Sequence, residues 1–203
     1  MTPSSPGAPW PPDINPSLSE EEQRAVAMLY EQKMAQPPVG APFLTFKLNN
    51  LRWGVAVSHL REALPSISSI TPLPFSPLWL YGLINLRGEP VGLVNLSDLL
   101  LDPITAANVR RRTAAGAPVI IAESDGVLLG LLVEELGEVV FLEEHHFGKL
   151  SGAETRSLPS FALAHLHAAW KPSRADQPVL LLDLARLIAN LLQQLTSEEA
   201  RHD

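Results

Sequence analysis

The chain of 203 residues contains no cysteine. That absence excludes disulfides, thiol nucleophiles and thiolate metal sites, and it makes a reducing cytoplasm the expected compartment. Aromatic residues are scarce, at 6% of the sequence, whereas 35 residues are leucine, so the core has to be mostly aliphatic. Positive charge is in short supply: 15 Lys and Arg stand against 22 Asp and Glu, a net charge of −7. Such a balance argues against a protein that grips nucleic-acid phosphates by bulk charge. Long apolar runs are missing too. Stretches such as 127–133 fall far below the roughly 20 residues of a spanning helix, and no basic segment leads into an apolar h-region near residue 1. The expectation is a soluble, intracellular protein with no direct membrane insertion. Phosphate-cradling and nucleophile signatures are absent as well: there is no G-x-x-x-x-G-K-[ST], no G-x-G-x-x-G and no G-x-S-x-G.

Proline is present but unevenly placed, with nine of 19 prolines in the first 42 residues. Residues 1–16 read as a disordered Pro-rich tail. Residues 17–42 read as a helix followed by a Pro linker. Ser19 and Glu22 have capping-box spacing, Val26, Leu29, Tyr30 and Lys33 line one side, and Pro37-Pro38 ends the run. A helix this short is marginal alone, so its apolar side is expected to dock on the body or on a partner, the body being favoured. The body spans 43–196 and leaves a short tail, 197–203. It opens with a strand rhythm at 43–48, turns at Asn49-Asn50 and returns over 52–57, a hairpin. A second hairpin, 119–123 and 127–133, turns at Asp125-Gly126. Strands at 83–86 and 91–96 flank the turn 87–90, and 179–182 is the last strand. The Ala-rich stretch 102–118, with Arg110, Arg111 and Arg112, reads as a loop. Leu184, Leu187, Ile188, Leu191, Leu192 and Leu195 form the core-facing stripe of a terminal amphipathic helix.

A faint duplication underlies this order. A shift of 76 positions places Gly54 on Gly130, Val57 on Val133, Leu60 on Leu136 and Glu62 on Glu138. A shift of 88 places Pro90 on Pro178, Val91 on Val179, Asn95 on Asp183 and Leu96 on Leu184. The matches include Gly, Pro and Glu as well as apolar positions. They predict two small β units of similar plan, each too small to bury a core alone, packed around a shared aliphatic core.

Reactive chemistry is thinly represented. If 161–170 is a strand, His165 and His167 share a face, and His145-His146 is a second cluster. Neither has a third ligand in view, so no metal site and no cofactor is expected. An enzyme using the His165/His167 face is the least favoured reading. Glu134-Glu135 and Glu143-Glu144 read as solvated surface, because neighbours on a strand point to opposite faces. The segment Gly82-Leu83-Ile84-Asn85-Leu86-Arg87-Gly88 stands out. Its bracketing glycines call for tight backbone geometry or close approach by another chain, and an Arg held at a strand end beside apolar neighbours suits an interface anchor.

With these residues in view, the sequence resembles the CheW-like family of chemotaxis coupling proteins over about 43–192. The motifs are Phe43-Leu44-Thr45-Phe46-Lys47-Leu48, Trp53-Gly54-Val55, Val57-Ser58-His59-Leu60-Arg61-Glu62, the 82–88 segment with its Asn-Leu-Arg-Gly core, and Val94-Asn95-Leu96. Gly130-Leu131-Leu132-Val133-Glu134-Glu135 and Leu180-Leu181-Leu182-Asp183-Leu184 complete them. The resemblance implies a mainly β fold of two small SH3-like β-barrel subdomains packed together. It also implies a non-catalytic, cytoplasmic adaptor that joins the cytoplasmic tip of chemoreceptors to the regulatory domain of a CheA-type histidine kinase, within membrane receptor arrays. Arg87 matches the partner-binding arginine, Leu60 and Glu62 match positions on the receptor side, and Gly82, Asn85 and Gly88 fall on the same surface. Segment 151–177 lacks the glycine-bearing strand expected before the last hairpin, and Glu89 stands where an apolar residue is usual. An auxiliary structural or localisation protein of the array that competes with the adaptor is the alternative. Swimming, pilus and gliding pathways remain open.

Overall fold

The computed structural model describes residues 39–67, 69–113, 116–148, 156, 158–171 and 177–199. The expected Pro-rich tail and N-terminal helix lie outside the described residues. The first half of the body runs β1 (Ala41–Leu48), β2 (Leu51–Ala56), β3 (Leu60–Leu64), β4 (Leu80–Leu86), β5 (Glu89–Asn95), α1 (Leu96–Leu100) and α2 (Pro103–Thr113). The second half runs β6 (Val119–Ser124), β7 (Val127–Leu132), β8 (Glu135–Leu142), α3 (Ser160–Ala164), β9 (Leu166–Trp170), β10 (Val179–Leu182) and α4 (Leu184–Glu199).

Turn chemistry sets the hairpins. Asn49 takes the left-handed conformation (φ 54°) between β1 and β2, and Asp125 and Gly126 (φ 50° and 76°) do so between β6 and β7. Asn, Asp and Gly reach this region at least cost, and it matches the twist of paired strands. The strands form two five-stranded sheets, ordered β8-β1-β2-β10-β9 and β3-β6-β7-β5-β4. The fold is therefore mainly β, with two packed sheets, in line with the expected mainly β fold of two packed subdomains.

The duplication is real at the level of register. Leu181 of β10 lies opposite Gly54 of β2 in a parallel pair, and Leu93 of β5 lies opposite Gly130 of β7. The shifts of 88 and 76 convert one pair into the other. Likewise Leu60 faces Ala122, and Leu136 faces Phe46. The plan differs from two self-contained units in one respect: each sheet takes strands from both halves. β8 of the second half extends the first hairpin, and β3 of the first half extends the second.

Alternation along doubly buried strands divides the interior in three. Val179 and Leu181 face one small cluster with Phe43, Leu142 and Ala168. Val119, Ile121 and Leu93 face another, with Ile84 and Val91. Their strand neighbours Leu180, Leu182, Ile120 and Val94 face a large shared core with Trp53, Leu96, Leu187 and Leu191. Strands buried on both faces read as unbroken apolar runs, which is how 119–122 and 179–182 appear in the sequence. The stripe on α4 packs as expected, with Leu184, Leu187, Ile188 and Leu191 buried and Leu192 and Leu195 partly so.

Three local expectations change. The stretch 102–118 contains a helix, α2. Asp102 Oδ1 accepts from the backbone N–H of Ile104 and of Thr105 at 3.1 Å each, Pro103 occupies the first helical position, and Ala106 and Val109 are buried. Arg110 is thereby committed to the buried Asp98 of α1. Segment 161–170 is not one strand but α3 followed by β9. His165 lies between them, buried, with Nδ1 2.7 Å from the Phe161 carbonyl oxygen, whereas His167 is exposed, so the two do not form a shared face. The second-half counterpart of β4 is present within 151–177: β9 pairs with β10, and Ala168, opposite Leu181, takes the place that Gly82, opposite Leu93, holds in β4.

Candidate functional site

The segment around Arg87 is built by a two-residue hairpin turn. Leu86 and Glu89 are paired, leaving Arg87 and Gly88 as the loop, with φ of 52° and 96°. Two positive φ values in succession are the type I′ pattern, which a non-glycine residue such as arginine adopts only under strain. Asn85 stabilises the turn: its Oδ1 accepts the Gly88 backbone N–H at 2.7 Å. The loop is shorter than the 87–90 turn read from the sequence, and Glu89 and Pro90 belong to β5.

Arg87 leaves this turn into solvent, its side chain 77% exposed, and its Nη2 donates to Glu62 Oε2 at 2.9 Å. Glu62 is on β3, one edge of its sheet, and Arg87 follows β4, the other edge. The ion pair thus links the two edge strands of the five-stranded layer. Leu60, two residues before Glu62 on the same strand, is half-buried against the shared core. Leu60 and Glu62 therefore lie on a third strand that the sequence reading does not pick out.

Gly82 has a different place from Arg87 and Asn85. It is buried, with φ 147°, and a Cβ there would lie 2.4 Å from the Thr71 carbonyl oxygen. Residue 71 straps the outer edge of β4: Thr71 N–H donates to the Leu83 carbonyl, and Leu83 N–H to the Thr71 carbonyl, at 2.8 Å each. The close approach at this position comes from residue 71 of the same chain and not, as the sequence suggests, from another chain. A groove of about 200 Å³ remains between strap and hairpin, lined by Thr71, Leu83, Ile84, Asn85, Gly88 and Pro90. The strap is invisible to periodicity because it pairs through one residue. Its counterpart is Gly148, bridged to Ala169 of β9.

The remaining candidates have local partners. Glu134 accepts from the Asn49 backbone N–H, and Glu135 pairs with Lys47 at 2.8 Å. Those contacts tie the first hairpin to β8, so this pair is more than a solvated surface. His146 Nδ1 accepts from the Glu143 backbone N–H at 3.0 Å. Among the described residues no three His, Asp or Glu side chains gather as metal ligands, and no helix is long and apolar enough to cross a membrane.

A site made of a fixed, exposed arginine, a half-buried carboxylate and an open groove is suited to binding a protein surface, with no activated nucleophile in it. Comparison with known proteins agrees with this architecture. Residues 42–191 match the family described as the CheW-like domain. A chemotaxis protein CheW from Rhizobium meliloti (strain 1021) is 25% identical over 105 residues, 52% of this chain and 63% of that protein. The chain thus matches somewhat less than two thirds of that relative's length. The crystal structure of scaffolding protein TtCheW from Thermoanaerobacter tengcongensis superposes with a TM-score of 0.58 at 21% identity, covering 74% of this chain and 88% of that one. The family match takes in both sheets and the Arg87 turn, and the chain belongs to the CheW-like domain family.

Proposed function

We propose that this protein is a non-catalytic, cytoplasmic adaptor that couples the cytoplasmic tip of chemoreceptors to a CheA-type histidine kinase within receptor arrays. The observation that carries the reading is Arg87, exposed yet fixed. The type I′ turn sets its backbone, Glu62 sets its guanidinium, and both residues stand where the resemblance places a partner surface. The kinase regulatory domain is the partner assigned to it. Asn85 and Gly88 hold the turn, Gly82 seats β4 against the strap, Arg87 makes the kinase contact, and Leu60 and Glu62 beside it belong to the receptor side of the same surface.

The test is binding of the purified protein to the CheW-like regulatory domain of a histidine kinase from the same cell, with wild type beside Arg87→Glu. The substitution sets two carboxylates against each other and removes the anchor. A hot-spot residue costs about 2 kcal/mol or more, so affinity should fall at least about 30-fold. Stability should barely change, because an ion pair this exposed contributes at most about 1 kcal/mol. A large fall in Tm would make Arg87 a structural residue, and absence of wild-type binding would remove the adaptor reading.

A further inference from the structure

The turn that sets Arg87 also carries a charge that folding does not require. Glu89 opens β5 and shares one face of that strand with Val91 and Leu93, since alternate residues point the same way. Val91 and Leu93 are buried in the smaller cluster of the second sheet. So are Ile84 and Leu86, which stand opposite Val91 and Glu89 across the hairpin. An apolar side chain at 89 would continue that row. The chain instead ends the row with an exposed carboxylate paired across from Leu86. A residue that breaks the local pattern without a structural return marks a functional position.

Arg87 adjoins Glu89 in the turn but is not its counter-ion. The guanidinium donates to Glu62 Oε2 at 2.9 Å, so its charge is already engaged from the other edge strand. Glu89 has no hydrogen bond or ion pair among the described residues. A protein face that seats on Arg87 therefore meets a free carboxylate beside it. Taking that carboxylate out of water without a counter-charge is costly, and an apolar or acidic surface opposite it is disfavoured on that ground. A lysine or arginine is the group that matches it. We propose that Glu89 is a specificity-determining residue of the adaptor surface, selecting a kinase regulatory domain that presents a basic side chain beside the group engaging Arg87. This assignment rests on the adaptor reading and adds to it the charge of the partner's face.

Glu123 supplies a control. It too is exposed, and it too stands opposite a leucine of the same cluster, Leu128, beside a hairpin turn. The parallel pairing of β5 with β7 puts the two turns at the same end of the sheet. β7 lies between β5 and β6, so the two strands that carry these glutamates are on the order of 10 Å apart. Removing either glutamate changes the overall charge equally, but only Glu89 adjoins Arg87.

The probe is the CheW-like regulatory domain of a histidine kinase from the same cell. It is titrated with wild type, Glu89→Gln, Glu89→Leu and Glu123→Gln at about 50 mM and about 500 mM salt. Glu89→Gln should weaken binding about fivefold at the lower salt, and the difference should shrink at the higher, where the ion pair is screened. Glu89→Leu should weaken it at least as much, although leucine extends the apolar row. Glu123→Gln should stay within about twofold of wild type. Tm should be unchanged in both glutamine variants, since neither carboxylate has a partner to lose among the described residues. Glu89→Leu binding as tightly as wild type, or more tightly, overturns the proposal, because the partner's face would then be apolar there. Equal losses in Glu89→Gln and Glu123→Gln overturn it too, since bulk charge rather than placement would be at work. Wild type that does not bind the domain removes the adaptor reading and this assignment with it, whereas wild-type binding beside an unaffected Glu89→Gln overturns this assignment alone.

Discussion

Two glycines six residues apart show how differently one residue type can be required. Both Gly82 and Gly88 have positive φ, but a Cβ at 88 meets nothing within 4 Å, whereas one at 82 would strike the Thr71 carbonyl oxygen at 2.4 Å and Ile70 Cγ2 at 2.9 Å. Gly88→Ala should therefore cost about 1 kcal/mol of backbone strain alone. Gly82→Ala adds a collision between backbone groups and should cost about 2–4 kcal/mol, by displacing the strap from β4. Urea denaturation of the two variants separates them, and equal losses would show that the strap yields freely. The sequence marks both positions as needing glycine. It does not reveal that the approaching backbone at 82 belongs to residue 71 of the same chain, because a one-residue bridge has no periodicity. Arg87 is legible as an anchor from its motif, but its ion pair with Glu62 is not, since 25 residues of chain separate them.

At the scale of elements, legibility follows local determination. The hairpins β1-β2 and β6-β7 are written in turn dipeptides, β4-β5 in a stretch, 87–90, that the structure shortens to two residues, and α4 in its leucine stripe, so all are legible in isolation. Edge strands β3 and β8 do not, because each pairs with a strand of the other half and exposes much of its length: in β8 only Leu142 is fully buried. Helix α2 was readable in principle from Asp102-Pro103, a cap followed by a first-turn proline, but few of its residues are apolar. That cap makes a pH prediction. Donation from the Thr105 side chain, and then from the backbone N–H groups of Thr105 and Ile104, holds the Asp102 carboxyl below its ordinary value of 3.8. A carboxyl lowered by folding stabilises the fold above its unfolded value, and that contribution is lost as pH falls through the folded value. Asp102→Asn should keep the cap but flatten this part of the acid-side decline in Tm; an unchanged acid limb would show that the cap does not contribute to global stability. On α4, Leu187 is fully buried in the shared core. Leu187→Asp would place a carboxylate there without a partner and should cost about 4 kcal/mol or more in denaturant unfolding. A soluble variant with an unshifted midpoint would place that face of the helix outside the core.

For the molecule as a whole, the consequential feature is that the duplicated halves do not correspond to the two sheets. Each half contains five strands, and each sheet takes two from one half and three from the other. Neither half can complete a sheet alone: without β8 and β10, the hairpin β1-β2 loses both its neighbours. The shared core likewise draws Trp53 and Val94 from the first half and Ile120, Leu180 and Leu187 from the second. The sequence shifts disclose the duplication but not this exchange, since a repeat is equally visible whether strands stay within a unit or cross over. Two fragments divided between α2 and β6, in the connection at 114–118, should each lack fixed tertiary structure. Mixed at equal concentration they should recover the near-ultraviolet circular dichroism of the intact chain. The intact body should in turn unfold in a single transition, with calorimetric and van't Hoff enthalpies equal. An independently folded fragment, or two resolved transitions, would mean that one half carries enough core to stand without the crossed strands. The exchange also bears on coupling. β4 belongs to the first half but sits in the sheet built on the second-half hairpin, so a load at either end of β4 reaches both halves through the parallel β5-β7 pair. Under the adaptor reading proposed above, geometry has to pass between two partners, and that requires this continuity; two independent barrels joined by a linker would lack it.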